Sequence, residues 1–116
     1  MLIEQIEALA NILIKEEHGL KKVEMLHRLL QQSCQYITIV TEHTWALHRA
    51  DNQEEIIRID KSRTSTHNAL IATITAVNRL CTERDLPPLY KGENDRRQMG
   101  DFALELVNEG LCYNFG

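Results

Sequence analysis

The stretch from Gln53 to Arg84 reads QEEIIRIDKSRTSTHNALIATITAVNRLCTER, and it decides the fold of this chain. An α-helix turns by 100° per residue, so seven-residue steps keep one row of side chains on the same side: Asp60, His67, Ile74 and Cys81. The neighbouring rows are rich in Ile, Leu and Val. This side of a long helix is therefore predicted to face the core.

A polar cluster interrupts this apolar arc near its N-terminal end. Four polar side chains fall on the arc that is predicted to be buried: Asp60, Arg63, Thr64 and His67. Burying that many polar groups costs several kcal/mol unless they satisfy one another. We therefore expect a compensating interaction at this height of the helix.

The pattern along the chain predicts four helices and no strand, at about residues 2–17, 21–49, 53–84 and 94–109. Gly19 is placed to end the first helix, and Asp51 or Asn52 to cap the third. Pro87 and Pro88 stop the third helix, because proline cannot continue it. A turn of about three residues makes the second and third helices antiparallel. The predicted fold class is all-α, an antiparallel four-helix bundle built on a long central helical hairpin.

The second helix carries an apolar seam that predicts the register of this hairpin. Its +3 and +4 steps run through Val23, Leu26, Leu30, Ser33, Ile37, Val40, Thr44 and Leu47. In two antiparallel helices, the position numbers of residues that face each other add up to a constant. This sum is near 103 when the Leu, Ile and Val positions of the second and third helices are aligned. The same sum places Tyr36 opposite His67, and His43, beside Thr44, opposite Asp60. Both helices therefore become polar at the same height.

The candidate site is this polar layer, which we predict to contain Tyr36, His43, Thr44, Asp60, Arg63, Thr64 and His67. As a pocket, it would bind an anion through Arg63, with Asp60 orienting a histidine and His67 acting as acid, base or ligand. As a closed hydrogen-bond network, it would instead fix the register of the helices. No nucleophile or phosphate-binding loop accompanies the layer, so we favour the network and predict no catalytic residue.

Metal and cofactor sites are not predicted either. Glu24 and His27 have the Glu-x-x-His spacing of di-iron helical proteins, but those proteins need two such motifs and two further glutamates. The chain has one motif, and it has no Cys-x-x-Cys pair of the kind that zinc sites use.

Some side chains are predicted to lie away from the seam. Trp45 either packs against the first or fourth helix or contacts a partner, since tryptophan is enriched at interface hot spots. Three basic side chains are predicted to be solvated: Arg58, Arg79 and Arg84. The tail 111–116 is apolar and is expected to pack back on the bundle.

Composition sets the class of protein. A chain of 116 residues, with 43% hydrophobic and 26% charged residues, is expected to form a single helical domain over residues 1–116. The net charge of −4 argues against a protein that coats nucleic acid. No stretch approaches the ~20 apolar residues of a membrane span, and the N-terminus lacks a basic signal region. An odd number of widely spaced cysteines, Cys34, Cys81 and Cys112, favours reduced thiols in a cytoplasmic protein.

Residues 58–71 (RIDKSRTSTHNALI), together with VNRL at 77–80 and LPPLY at 86–90, resemble a family of small all-helical bacterial proteins of unknown function. The core of the resemblance is the pattern Asp-x-x-Arg-x-x-x-His-Asn at 60–68. The likeness covers residues 56–109. It implies an all-helical bacterial protein, and it carries no activity, cofactor or catalytic residue.

We therefore predict a non-enzymatic structural or interaction protein that self-associates, most simply as a two-fold homodimer, or that binds another protein. The short first and fourth helices cannot cover helices of ~45 Å along their whole length, and a second copy would bury the excess apolar surface. The alternative is a small-ligand-binding or hydrolytic protein with a pocket in the polar layer. Such a pocket needs an opening beside Arg63 and His67, whereas a network is closed and fully paired.

Overall fold

The computed structural model describes residues 2–49, 52–92 and 95–109, and these residues form four helices and no strand. The helices are α1 (Leu2–Leu13), α2 (Gly19–His48), α3 (Gln53–Glu83) and α4 (Arg96–Asn108). The most extensive packing joins α2 to α3, and α1 and α4 each pack against α2. The predicted all-α fold on a central helical hairpin is confirmed.

The boundaries of α3 follow from its end residues. The Asn52 Oδ1 accepts a hydrogen bond of 2.9 Å from the backbone N–H of Glu55 and so caps the first turn. At the other end, Asp85 adopts a left-handed φ of 56° and the two prolines follow. The predicted range 53–84 is therefore correct to within one residue.

The junction between α1 and α2 differs from the prediction. Helix α1 ends at Leu13 rather than at residue 17, and the left-handed residue of the turn is His18, with φ 59°. Gly19 is the first residue of α2, where a Cβ would lie 2.3 Å from the carbonyl oxygen of Leu13. Glycine is thus required for the close approach of two helix ends, and α1 stops early because the chain must reverse within that short turn.

Helix α4 begins at Arg96, later than predicted. The side chain of Asp95 accepts a hydrogen bond of 2.8 Å from the N–H of Gln98, which makes Asp95 the N-cap. The predicted start at Asn94 and the predicted packing of the tail 111–116 lie outside the described residues.

The core lies at one end of the hairpin. We call residues 20–36 of α2 and 64–83 of α3, with α1 and α4 against them, the base; residues 37–49 and 52–63 are the tip. The base holds the fully buried core side chains, among them Leu9, Leu13, Leu29, Leu70, Val77, Met99 and Leu106. At the tip, of the apolar residues that the structure describes, only Ala46 and Ile59 are buried.

Two contacts show why α4 does not reach the tip. Its first residue, Arg96, lies beside Tyr36 and Thr64, where base and tip meet. Further along, Phe102 packs edge-on against Tyr90, with ring centroids 5.2 Å apart, and Tyr90 is tied to Asn78 near the far end of α3. Helix α4 therefore runs away from the tip.

The molecule is elongated as a result. Its principal extents are 51 × 25 × 23 Å, and its radius of gyration is 15.5 Å, above the ~13 Å of a compact domain of this length. Within the described ranges, no helix combines the length and apolar character needed to cross a membrane.

The predicted seam of α2 is correct at the base and wrong at the tip. Leu26, Leu30 and Ser33 are buried, but Thr44 is exposed and Leu47 is 54% exposed. Ala46 is buried in their place. A straight helix drifts by ~20° per heptad against a strict 3.5-residue pattern, so a row that faces α3 at the base has rotated away by the tip.

Candidate functional site

The polar layer spans the hairpin as the register predicts. The rings of Tyr36 and His67 lie with centroids 5.7 Å apart, and the Nε2 of His43 lies 3.8 Å from the Oδ1 of Asp60. Both predicted pairs across the hairpin are confirmed. The constant-sum argument holds here because the layer lies close to the well-packed base, where the helices keep their register.

Arg63 is the central side chain of the layer. Its Nε donates a hydrogen bond of 3.1 Å to the Oδ1 of Asp60, and its Nη2 donates to the same oxygen. This bond to Arg63 holds the pKa of Asp60 below its usual value, and the nearby charge of Arg96 acts in the same direction. Asp60 is therefore ionised at neutral pH and neutralises the largely buried Arg63.

The prediction that the whole cluster is buried is wrong. Asp60 leaves 43% of its side chain exposed. Thr44 is also exposed, and its hydroxyl donates to the carbonyl oxygen of Val40 at 3.0 Å within α2, so Thr44 does not join the layer. Only Tyr36 and His67 are buried among the seven predicted residues. The cluster opens towards the tip because neither α1 nor α4 extends over it.

Helix α4 contributes a residue that the sequence analysis missed. The Nη2 of Arg96 donates to the Oγ1 of Thr64 at 3.2 Å, and the hydroxyl of Tyr36 donates to the carbonyl oxygen of Arg96 at 3.4 Å. Burial raises the pKa of Tyr36, so its hydroxyl stays protonated. Nothing in the helical period indicates this contact, because Thr64 lies 32 positions away in the chain.

His67 leaves the layer incompletely paired. Its side chain is only 8% exposed, and its buried Nε2 makes no hydrogen bond with any residue that the structure describes. The described residues therefore do not form the closed, fully paired network that we favoured. Neither Arg63 nor His67 is among the residues that line the two clefts described next, and the predicted alternative, an open pocket in the layer, stays a prediction.

These two clefts lie on another side of the hairpin. The first, the tip groove, has a volume of about 470 Å³ and is lined by Ile37, Thr38, Thr41, Glu42, Trp45, Arg49, Glu55, Arg58 and Ile59. The second has a volume of about 370 Å³ and is lined by Cys34, Gln35, Thr38, Ile39 and Thr66. Thr38 belongs to both, so the clefts form one furrow along the hairpin. Thr64 and Thr66 lie about 200° apart on α3, which puts the furrow on the side away from Arg96.

Trp45 lies on one wall of the tip groove and is 57% exposed. The groove that it lines is formed by α2 and α3, and the predicted contact of Trp45 with a partner stays a prediction. Ile59 is buried at the same groove, and Ile37 is half-buried. The tip groove thus combines an exposed indole ring with a buried and a half-buried isoleucine.

Charges of both signs surround the tip groove. Glu42 and Arg49 come from α2, and Glu55 and Arg58 come from α3. Arg58 donates to the Oε1 of Glu55, which raises the pKa of Arg58, and Glu42 adds a smaller effect of the same sign. The groove is therefore apolar at its floor and electrically mixed at its rim.

The prediction that Arg84 is solvated is wrong. Its Nε donates to the Oε2 of Glu16 at 2.8 Å, its Nη2 donates to the other oxygen, and the Nζ of Lys22 lies 2.9 Å from Glu16. These bonds, above all the one from Arg84, lower the pKa of Glu16 to about 2. Periodicity within one helix could not show a partner 68 positions away in the chain. Arg58 and Arg79 are exposed, as predicted.

The cysteine prediction is correct in part. Cys81 is a free, buried thiol, and burial raises its pKa. Cys34 is disulfide-bonded, so the prediction of reduced thiols is wrong for it, and Cys112 lies outside the described residues.

The Glu-x-x-His residues Glu24 and His27 are both exposed on α2. In the described ranges, no three His, Cys, Asp or Glu side chains converge in a way that would hold a metal ion.

No protein-family model, no curated protein and no solved structure matches this chain. The resemblance over residues 56–109 therefore stays a prediction.

Proposed function

We propose that this chain is a non-enzymatic structural or interaction protein that works as a homodimer. We propose the bacterial cytoplasm as the location because of the resemblance and the composition. The disulfide-bonded Cys34 does not support this location. The observation that carries the proposal is the tip of the hairpin, which neither α1 nor α4 covers.

The exposed area of the chain supports self-association. The chain exposes 7366 Å², whereas a compact monomer of 13.4 kDa exposes about 6,500 Å². The elongated shape of the molecule raises this exposed area, and a second copy would bury part of it.

The kind of surface at the tip supports the same conclusion. Trp45, Leu47 and Ile57 are each about half exposed. Exposed apolar groups bordered by charged side chains are typical of protein–protein contact sites.

Multi-angle light scattering over a micromolar concentration series tests the proposal. We expect a mass near twice the 13.4 kDa of one chain, falling towards the monomer mass on dilution. A monomer mass at every concentration would overturn the proposed self-association.

The polar layer supports a second candidate, a protein that binds a small anion. The favouring observation is the buried Nε2 of His67, which makes no hydrogen bond with the described part of the chain, in a layer that also holds Arg63 and Arg96. Inorganic phosphate is the probe. If the layer binds anions, phosphate raises the denaturant midpoint of the wild type but not of a His67→Phe variant. Equal midpoint changes in the two proteins would exclude this candidate.

A further inference from the structure

We propose that the furrow, which runs from the tip groove to the edge of the base, is the dimer interface, with two copies packed antiparallel through α2 about a two-fold axis beside Trp45. The inference rests on the proposed self-association and identifies the surface and partner. It follows from the charges on the groove rim, from the apolar character of the furrow, and from the position of Trp45.

The charge pattern on α2 matches its own copy. Glu42 and Arg49 are seven residues apart, which puts them on one face of α2 and roughly 10 Å apart along its axis. A two-fold axis halfway between them passes beside Trp45 and Ala46. It brings Glu42 opposite Arg49 of the partner subunit, and the same pair recurs on the other side of the axis. The charge pattern of this face of α2 is therefore complementary to itself about the proposed axis.

The threonines of the furrow make it more apolar than its sequence indicates. The hydroxyls of Thr38, Thr41 and Thr66 donate within their own helices, to the carbonyl oxygens of Cys34 at 2.9 Å, Ile37 at 2.8 Å and Ser62 at 2.9 Å. Each hydroxyl is thus already hydrogen-bonded. A second copy can cover these positions without leaving the three donors unpaired.

Trp45 gives the interface its apolar centre. It is 57% exposed, and it lies on the α2 face between Glu42 and Arg49. Antiparallel packing about the proposed axis would bring the two indole rings close to the axis, each over the groove of the other copy. Tryptophan at the centre of a contact, ringed by charged pairs, is the usual arrangement of an interface hot spot.

The furrow fits a second copy better than a partner with one dominant charge. Two acidic and two basic side chains alternate around the tip groove, so a uniformly charged partner would meet attraction and repulsion together. A second copy presents the same charge pattern in the reverse direction because of the two-fold axis. It would also cover Trp45, which is exposed in the monomer.

Trp45 is the chain's single tryptophan, so its fluorescence reports directly on this surface. We expect the wild-type emission to shift to shorter wavelength as the concentration rises through the dimerisation range, in step with the light-scattering mass. Trp45→Gln should weaken dimerisation by about tenfold or more. Leu104→Gln, at an exposed apolar residue of α4, is the matched control and should leave the mass unchanged.

A charge exchange tests the register. Glu42→Arg makes both positions basic, and Arg49→Glu makes both positions acidic, so each variant alone should dimerise about tenfold more weakly than the wild type. An equimolar mixture should restore the dimer, because every contact across the axis then pairs opposite charges. Arg79→Glu, at an exposed position of α3 outside the furrow, is the charge control. Circular dichroism checks that each variant keeps its helical content.

The outcomes separate this inference from the proposal on which it rests. A dimeric wild type with fully dimeric variants would overturn the furrow interface and leave self-association standing. Variants that dissociate but are not rescued by mixing would overturn the antiparallel register. A wild type that stays monomeric, with an emission independent of concentration, would remove both.

Discussion

The base and the tip are two halves of the same pair of helices, yet they differ in what covers them. At the base, α1 and α4 lie on the hairpin, and side chains such as Leu70 and Met99 are fully buried. At the tip, α2 and α3 have only each other among the described elements, and Trp45 and Ile57 remain about half exposed. Within α2 the two regions are similarly apolar, so the greater burial of the base comes from its coverage by α1 and α4.

From this difference we expect the base to stabilise the fold and the tip to contact a partner. Two packed helices bury one stripe of each helix, and they leave the outer faces in water. A third and a fourth helix complete a core at the base, so apolar residues there stabilise the fold. Apolar residues at the tip contribute little to the isolated chain and are available to a partner.

The largest expected effect is at the base. Leu70→Ala should lower the free energy of unfolding by about 2–5 kcal/mol, because it leaves a cavity among fully buried side chains. Ile57→Ala at the tip should change it by less than about 1 kcal/mol in dilute protein. Denaturant unfolding of both variants measures the contrast, and equal losses would show that the tip belongs to the same core.

The next effect concerns the loop that leads from α3 to α4. The Nδ2 of Asn78 donates to the carbonyl oxygen of Tyr90 at 2.9 Å, and its Oδ1 accepts from the N–H groups of Leu89 and Tyr90 at 3.0 and 3.3 Å. Asn78→Ala should lower the free energy of unfolding by about 1–3 kcal/mol, since it leaves these backbone groups unpaired. Asn78→Asp keeps the acceptor and should cost less. An Asp variant that is as unstable as the Ala variant would contradict this role of the Oδ1 atom.

A smaller effect of opposite sign is expected where base and tip meet. The buried Nε2 of His67 lacks a hydrogen bond among the described residues, so His67→Leu should raise the free energy of unfolding by about 1 kcal/mol. Thermal and denaturant unfolding provide the measurement. A loss of 2 kcal/mol or more, roughly the value of a broken buried bond, would show that His67 is paired in solution.

The smallest expected effect is the loss of stability at the base when the pH falls into the acid range. The pKa of Glu16 is about 2 in the folded chain and 4.5 without its partners, so its carboxylate stabilises the fold above pH 4.5. That contribution falls as the pH drops from about 4.5 to 2. It is modest because Glu16 keeps 29% of its side chain exposed. Glu16→Gln should flatten the dependence of the unfolding midpoint on pH in this range, and a dependence as steep as in the wild type would contradict the assignment.

The sequence predicted those features that depend on neighbours along one helix or across one tight turn. The long helices, the Asn52 cap and the proline stop are local, and the short turn fixed the register that pairs Tyr36 with His67 and His43 with Asp60. Contacts between the hairpin and the rest of the chain were missed. Arg84 contacts Glu16, and Arg96 contacts Thr64. The periodicity of a single helix does not show where such partners lie.

By itself, then, the sequence determined the all-helical fold and the central hairpin, because periodicity and end residues act through hydrogen bonds a few positions apart. Only the tertiary structure decided which apolar residues are core and which remain surface. Burial depends on where α1 and α4 lie, and those positions follow from the turn at Gly19 and from the loop held by Asn78. Trp45 and Leu70 are both apolar residues of long helices, and only the neighbouring helices distinguish a docking surface from a core.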